Sequence, residues 1–174
     1  RIDEVWLTHA APARVLELLA ERVPLGSAVL APVVYQSGAD RAPFYAPQGI
    51  DVVKLKEYDA RPSPSGVEVR IVAGSPSATA LLITYGQVKV LIPGGVDYAH
   101  INESAPEALR GLSVIVVAED DISYIPPRVW QALAPAAVLW NSPAVSPVAD
   151  WLSLDGGDVI PLVTDGIDLY LDER

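Results

Sequence analysis

The sequence of 174 residues contains no cysteine and no methionine, and it has only two histidines. Without cysteine the chain can form neither disulfides nor thiolate metal sites, although this absence does not identify a cellular compartment. Without methionine the chain does not begin at a native initiator, so we expect upstream sequence before Arg1.

Basic residues are also scarce: 12 Lys and Arg stand against 22 Asp and Glu, which gives a net charge of −10. Proteins that bind nucleic acids generally collect Lys and Arg on one face, where these side chains meet the phosphates. No run of basic residues occurs here. We therefore expect no tight nucleic-acid binding by the isolated chain.

Long uninterrupted hydrophobic runs are missing as well. The uncharged stretch Ile71–Val88 contains Gly-Ser-Pro-Ser, and Val129–Ala149 contains three prolines together with glutamine, asparagine and two serines. A membrane-spanning helix needs roughly 20 mainly apolar residues with intact backbone hydrogen bonds. The sequence therefore predicts no membrane span, and it shows no signal-peptide pattern.

The hydrophobic content of 51% is nevertheless sufficient for the core of a single domain, which we expect to span residues 1–174. Short runs of Val, Ile and Leu, bounded by Gly, Pro, Asp or Ser, are typical of buried strands. The predicted strands are Glu4–Thr8, Ser27–Ala31, Asp51–Lys56, Val67–Val72, Thr79–Tyr85, Lys89–Ile92, Ser113–Ala118, Ala136–Trp140, Val159–Val163 and Ile167–Leu171.

Helical periodicity is clearest at Pro12–Arg22, where Val15, Leu18, Leu19 and Arg22 fall at spacings of three and four residues. This pattern predicts a helix that buries Val15, Leu18 and Leu19. Further helices are predicted at Pro126–Leu133, Ser104–Arg110 and Ser146–Leu152.

Glycine-containing turns predict two hairpins, at Tyr85-Gly86-Gln87 and at Thr164-Asp165-Gly166. Segments 32–48 and 57–66 are rich in Pro, Ser, Gly and Asp and are predicted to be loops. Strands mixed with a few helices indicate an α/β or α+β domain built in layers.

Three strand ends carry short motifs. Strand Ile2–Thr8 is followed by His9 and at once by a helix, Val88–Ile92 leads into Pro93-Gly94-Gly95, and Ser113–Ala118 leads into Glu119-Asp120-Asp121. This order resembles the metallo-β-lactamase superfamily, most closely the soluble domain of ComEC-type competence proteins. The resemblance implies an αββα sandwich that lacks its first N-terminal strands.

In active members of this family, histidines and aspartates of a signature HxDxDH help to hold two metal ions, which activate a water for attack on phosphodiester or ester bonds. The corresponding segment begins at His9. Ala11 and Ala13 stand at the two aspartates, and Arg14 stands at the second histidine. An alanine cannot coordinate a metal, and an arginine adds positive charge to a cation site.

The other ligand positions of the family are altered too. Gly95 replaces the aspartate of Thr-Gly-Asp, Glu119-Asp120-Asp121 stands at His-His-Gly, and no histidine follows His100 to supply Gly-His-Pro. The resemblance therefore implies an inactive enzyme fold with no metal cofactor. The vestigial site positions are His9, Ala11, Ala13, Arg14, Gly95, Glu119 and Asp120.

Simpler interpretations apply to the same residues. His9 fits a hydrogen-bonded loop histidine, and His100 fits a surface residue. The acidic run 119–121 fits a solvated turn, with a weak divalent cation site as the alternative. Asp97 could replace the missing aspartate, although it lies two residues late.

Our first functional hypothesis is a catalytically inactive domain of a ComEC-like DNA-uptake membrane protein, with a structural or interaction role. Its partners would be the remainder of that protein and, through an exposed sheet, a second copy. The resemblance implies a soluble domain attached to the cell membrane on the extracytoplasmic side, although the side is not fixed by the sequence.

Two alternatives remain open. One is a metal-dependent nuclease or phosphoesterase with zinc or manganese in a relocated site formed by His9, Asp97, Glu119 and Asp120. The other is a module that binds a small ligand in the former catalytic cleft.

Overall fold

The computed structural model describes residues 1–9, 13–35, 47–118, 131–141, 152–153 and 162–171. The elements of the N-terminal part are β1 (Ile2–Leu7), α1 (Ala13–Arg22), β2 (Leu25–Leu30), α2 (Pro32–Tyr35) and β3 (Asp51–Lys54). The three strands form a parallel sheet in the spatial order β1-β2-β3. Helix α1 connects the first two of these strands.

The following strands form a larger, mixed sheet of seven strands within the described residues. Neighbouring strands are antiparallel from β4 to β7 and parallel from β7 to β10. A separate antiparallel hairpin ends the described chain. The elements are β4 (Ala60–Pro62), β5 (Glu68–Gly74), β6 (Thr79–Tyr85), β7 (Val88–Ile92), α3 (Tyr98–Ser104), β8 (Val114–Ala118), β9 (Ala137–Asn141), β10 (Leu152–Ser153), β11 (Leu162–Thr164) and β12 (Leu169–Leu171).

Two hydrophobic clusters lie on opposite faces of the larger sheet. On one face, Ile71 and Leu81 pack with the parallel sheet and with Leu16 of α1. On the other face, Leu82 and Leu91 pack with residues of α3 and the segment that follows it. Successive residues of a strand point to opposite faces, so a strand buried on both sides is apolar throughout. The layers therefore follow the order helix, sheet, sheet, helix.

The structure confirms the layered α/β architecture and most of the strand predictions. Strands β1, β2, β3, β5, β6, β7, β8, β9, β11 and β12 each overlap a predicted strand, although residues 159–161 lie outside the described residues. Both predicted hairpins are present, as β6–β7 and β11–β12. Gly86 supplies the positive φ of +58° at the first of these turns.

The prediction that α1 buries Val15, Leu18 and Leu19 is wrong at Leu18, and the side chain of Val15 lies outside the described part of the structure. Leu18 is 47% exposed, whereas Leu16 is fully buried. Leu19 is partly buried, and Arg22 is exposed. Residues 16, 19, 20 and 23 form a second stripe with helical spacing, one position further along the helix. That stripe contains no charged residue, whereas the predicted stripe would have directed Arg22 towards the core.

The helix predicted at Ser104–Arg110 is wrong, because turns follow Ser104, where helix α3 (Tyr98–Ser104) ends. Pro106 accounts for this end, since a residue before proline avoids the helical region. Ala105 accordingly has φ −142° and ψ 51°.

Further differences concern short elements. The predicted loop 32–48 begins with helix α2, and the predicted loop 57–66 contains strand β4. Leu152, the last residue of a predicted helix, belongs to β10, whereas residues 146–151 lie outside the described residues. Of the predicted helix 126–133, only Gln131–Leu133 is described, and it is helical. Elements of two to four residues carry too little periodicity to be recognised.

An ion pair joins the edges of the two sheets. The guanidinium Nε of Arg61, on β4, donates to the Glu4 carboxylate, on β1, over 2.7 Å. Strand β1 is the outer strand of its sheet in the described part of the chain.

No helix in the described ranges is long and apolar enough to cross a membrane.

Gly26 allows close contact between β1 and β2, which generates a stability prediction. A Cβ at this position would lie 2.5 Å from the carbonyl oxygen of Asp3. We expect Gly26→Ala to lower the free energy of unfolding by about 1–3 kcal/mol, because backbone atoms must shift to make room. Urea unfolding followed by circular dichroism measures this change.

Gly74→Ala is the matched control, because Gly74 also lies in a strand. Its added Cβ would meet only the flexible end of Glu57, at 2.9 Å. A Gly74→Ala loss as large as that of Gly26→Ala would contradict this account of the β1–β2 contact.

Candidate functional site: a cleft with one histidine

His9 extends beyond the end of β1 and contacts the start of β6. It forms an isolated antiparallel bridge with Ala78, the residue before β6. The hydroxyl of Thr8 lies 3.0 Å from Nδ1 of the His9 ring. The side chain is exposed to solvent. Backbone pairing therefore fixes the position of this histidine at one end of the larger sheet.

The loop after β7 reaches the same place. Pro93-Gly94-Gly95 turns sharply, with φ of +60° at Gly94 and +85° at Gly95, and the Val96 N–H donates to the Pro93 carbonyl over 3.1 Å. A Cβ at Gly94 would lie 3.7 Å from Cε1 of His9, and one at Gly95 would lie 4.0 Å from Nε2. The structure thus brings together two of the predicted vestigial positions, His9 and Gly95.

The two glycines differ in what they would tolerate. A Cβ at Gly94 would lie 2.7 Å from the Thr79 carbonyl oxygen, so any side chain there would displace backbone. At Gly95 the nearest atom would be the Ala78 Cβ, at 3.7 Å, which leaves space for a side chain. Aspartate tolerates positive φ better than most residues. Gly95 is therefore the position where a carboxylate could face His9, and the chain has none there.

The remaining vestigial positions are only partly described. Ala13 begins α1 and Arg14 lies in its first turn, but only their backbone is described. Ala11 and the acidic residues Glu119, Asp120 and Asp121 lie outside the described residues.

Asp97 caps the N-terminal end of α3. Its side chain accepts a hydrogen bond from the His100 N–H over 3.0 Å, which makes Asp97 the N-cap of this helix. His100 itself is exposed on α3. The sequence contained a signal for this cap: Tyr98 and Ile101, both buried, follow Asp97 at helical spacing. This pattern favours capping over metal binding as the role of Asp97.

The described side chains around His9 do not supply the ligands of the metal pair in the resembling family. Zinc sites need three or four converging nitrogen, oxygen or sulfur ligands. Among the described residues, no group of three or more His, Cys, Asp and Glu side chains is placed to hold a metal ion. Next to His9 the loop supplies two glycines and no donor side chain. Among the described residues next to this loop, the imidazole of His9 is the group that can act as a hydrogen-bond partner.

No protein-family model matches the sequence, and no curated protein matches it either. Among solved structures, the metallo-β-lactamase fold protein YhfI from Bacillus subtilis aligns with 89% of this chain and 67% of its own, at 9% identity and a TM-score of 0.46. A metallo-β-lactamase superfamily protein from Thermotoga maritima aligns with 68% of this chain, at 13% identity and a TM-score of 0.40. The present chain spans 60% of the length of the Thermotoga protein. Likenesses at this level of identity concern the fold and not the activity.

The cap at Asp97 generates the second prediction. We expect Asp97→Ala to lower the free energy of unfolding by about 1 kcal/mol, because the first turn of α3 loses a hydrogen-bond acceptor. Asp97→Ser keeps an acceptor oxygen and serves as the matched control. Thermal and urea unfolding of both variants measure the difference. Equal losses in both variants would show that the carboxylate has a role other than capping.

Proposed function

We propose that this chain is a catalytically inactive metallo-β-lactamase-like domain of a ComEC-like DNA-uptake membrane protein, in which the fold has a structural or interaction role. The observation that carries the proposal is the contact between His9 and the glycines of the loop after β7. The resemblance aligns His9 and Gly95 with ligand positions of the family, and of these two only His9 has a donor side chain.

The packing of the chain supports a structural role, in which the domain folds but performs no catalysis. The two clusters that bury the larger sheet are built from aliphatic and aromatic side chains. His9 is exposed and is held by a backbone bridge to Ala78. Substituting ligand residues around an exposed histidine leaves the buried apolar surface, which dominates folding, unchanged.

The charge of the chain supports an interaction role that does not involve direct DNA contact. With a net charge of −10, long-range repulsion opposes the approach of DNA, and salt screens that repulsion over about 8–10 Å. Strong DNA binders make about six to ten phosphate contacts with Lys and Arg. Arg14, in the first turn of α1, could supply one of them.

The edge of β1 favours an interaction with another protein strand. In the described part of the chain this strand has a neighbour on one side only. An unpaired edge presents backbone donors and acceptors to which another strand can add. We propose that this edge pairs with the remainder of the same membrane protein or, in the isolated chain, with a second copy.

The third prediction tests inactivity directly. We expect the purified chain to contain far less than one zinc or manganese ion per molecule, since one imidazole cannot provide a ligand set. We also expect no cleavage and no gel shift of single- or double-stranded DNA at low salt with either metal added. Without several ligands no metal-bound hydroxide forms at neutral pH. Elemental analysis and gel electrophoresis measure both outcomes.

The two histidines offer a matched pair of variants, His9→Ala and His100→Ala. Metal-dependent cleavage that disappears in His9→Ala and persists in His100→Ala would overturn the proposal. It would favour the relocated site, which must then form without Asp97 or at the expense of the α3 cap.

A further inference from the structure

A cavity of about 380 Å³ lies between the larger sheet and the β11–β12 hairpin. Its floor includes Val67, Ile83 and Val90, which come from the strand region of β5, β6 and β7, and its roof includes Leu162 and Leu169 of the hairpin. Alternation along β6 and β7 places Ile83 on the same face as Leu81, which packs with the parallel sheet. The cavity therefore lies on the face that both the parallel sheet and the hairpin cover.

Within the described part of the chain this cover is incomplete, and the cavity is partly open to solvent. Ile71 and Leu81 are 0% and 5% exposed beneath the parallel sheet. Further along the same strands, Val67, Ile83 and Val90 are only partly buried. Apolar side chains with this much residual exposure gain free energy when further apolar surface covers them.

A hydrogen bond between the β6–β7 turn and the β11–β12 turn holds the hairpin at a fixed distance from the larger sheet. The Gln87 N–H donates to the Gly166 carbonyl over 2.6 Å, and a Cβ on Gly86 would collide with that same carbonyl. The carboxylate of Asp165 accepts hydrogen bonds from the Asp168 and Ile167 N–H groups, which lower the pKa of Asp165 and hold the hairpin turn. Both contacts lie at the turn of the hairpin. Away from this turn, strands β11 and β12 lie over the larger sheet and enclose the cavity between them and the sheet.

The lining residues that the structure describes carry no charge. Apart from aliphatic side chains and Tyr85, the described lining includes only the hydroxyls of Ser65 and Thr164. The Thr164 hydroxyl donates to the Asp168 carbonyl over 2.6 Å and accepts from the Gly166 N–H over 2.9 Å. The Ser65 hydroxyl pairs with that of Ser63. Recognition in such a cavity depends on shape and apolar contact.

We infer that this cavity binds an uncharged, predominantly apolar small molecule. By comparison with an apolar cavity of about 150 Å³ that holds benzene, 380 Å³ corresponds to roughly ten to fifteen heavy atoms. The site is separate from the His9 cleft, because His9 contacts the start of β6 and the cavity lies near its end. The seven residues of β6 place the two sites about 20 Å apart.

The test uses the full chain and the uncharged fluorescent probe 1-naphthylamine. We expect saturable binding, with backbone amide shifts concentrated at Val67, Ile83, Val90 and Leu169. The analogue 1-naphthylamine-5-sulfonate carries the same rings with an added charge, so it should bind more weakly to an uncharged lining. Absence of saturable binding, or shifts centred on His9 and Gly95, would overturn the inference.

Two Val→Phe variants provide the matched comparison. Val90→Phe fills the cavity and should weaken binding of the uncharged probe at least about tenfold. Val163→Phe adds the same group to the opposite face of the hairpin, where Val163 is 54% exposed, and should leave binding unchanged. Equal effects of the two variants would place the probe elsewhere. If Val90→Phe fails to fold, Val67→Phe replaces it, and the shift map of the unmodified chain gives an independent result.

Discussion

The burial of both faces of the larger sheet where β5 meets β6 is the constraint on which the rest of the structure depends. Leu81 and Leu82 are adjacent in the chain and lie in different clusters, one with the parallel sheet and one with α3. A strand segment covered on both faces is mainly apolar, and β6 is buried from Thr79 to Leu82, where Thr79 is the only polar residue. The strands that surround the cleft and the floor of the cavity are positioned by this arrangement.

The cleft is a consequence of the layering. His9 reaches the start of β6 because β1 belongs to the sheet that packs on β6, and the loop after β7 returns to the same end. Neither contact requires a metal ligand, since one is a backbone bridge and the other is an approach of glycines to a ring. The fold can therefore persist while the residues that would carry chemistry change, which is why fold and activity must be argued separately.

Much of the strand order was predictable from the sequence because buried strands here are short apolar runs that end at glycine or proline. Leu18 was misplaced because α1 contains two overlapping apolar stripes, and only the tertiary packing selects the one with Leu16. The helix predicted at Ser104–Arg110 is wrong because Pro106 keeps Ala105 out of the helical region, and helix α3 therefore ends at Ser104. The convergence of His9 and Gly95 followed from the family resemblance and not from composition, since the two residues are far apart in the chain.

We propose that the residues around His9 do not hold a metal pair. Crystals soaked in zinc and measured at the zinc absorption edge would test this claim most directly. We predict no anomalous peak at which Nε2 of His9 is joined by three further nitrogen or oxygen ligands at about 2.0–2.2 Å. A fully occupied peak with such a ligand set, drawn from any part of the chain, would contradict the account.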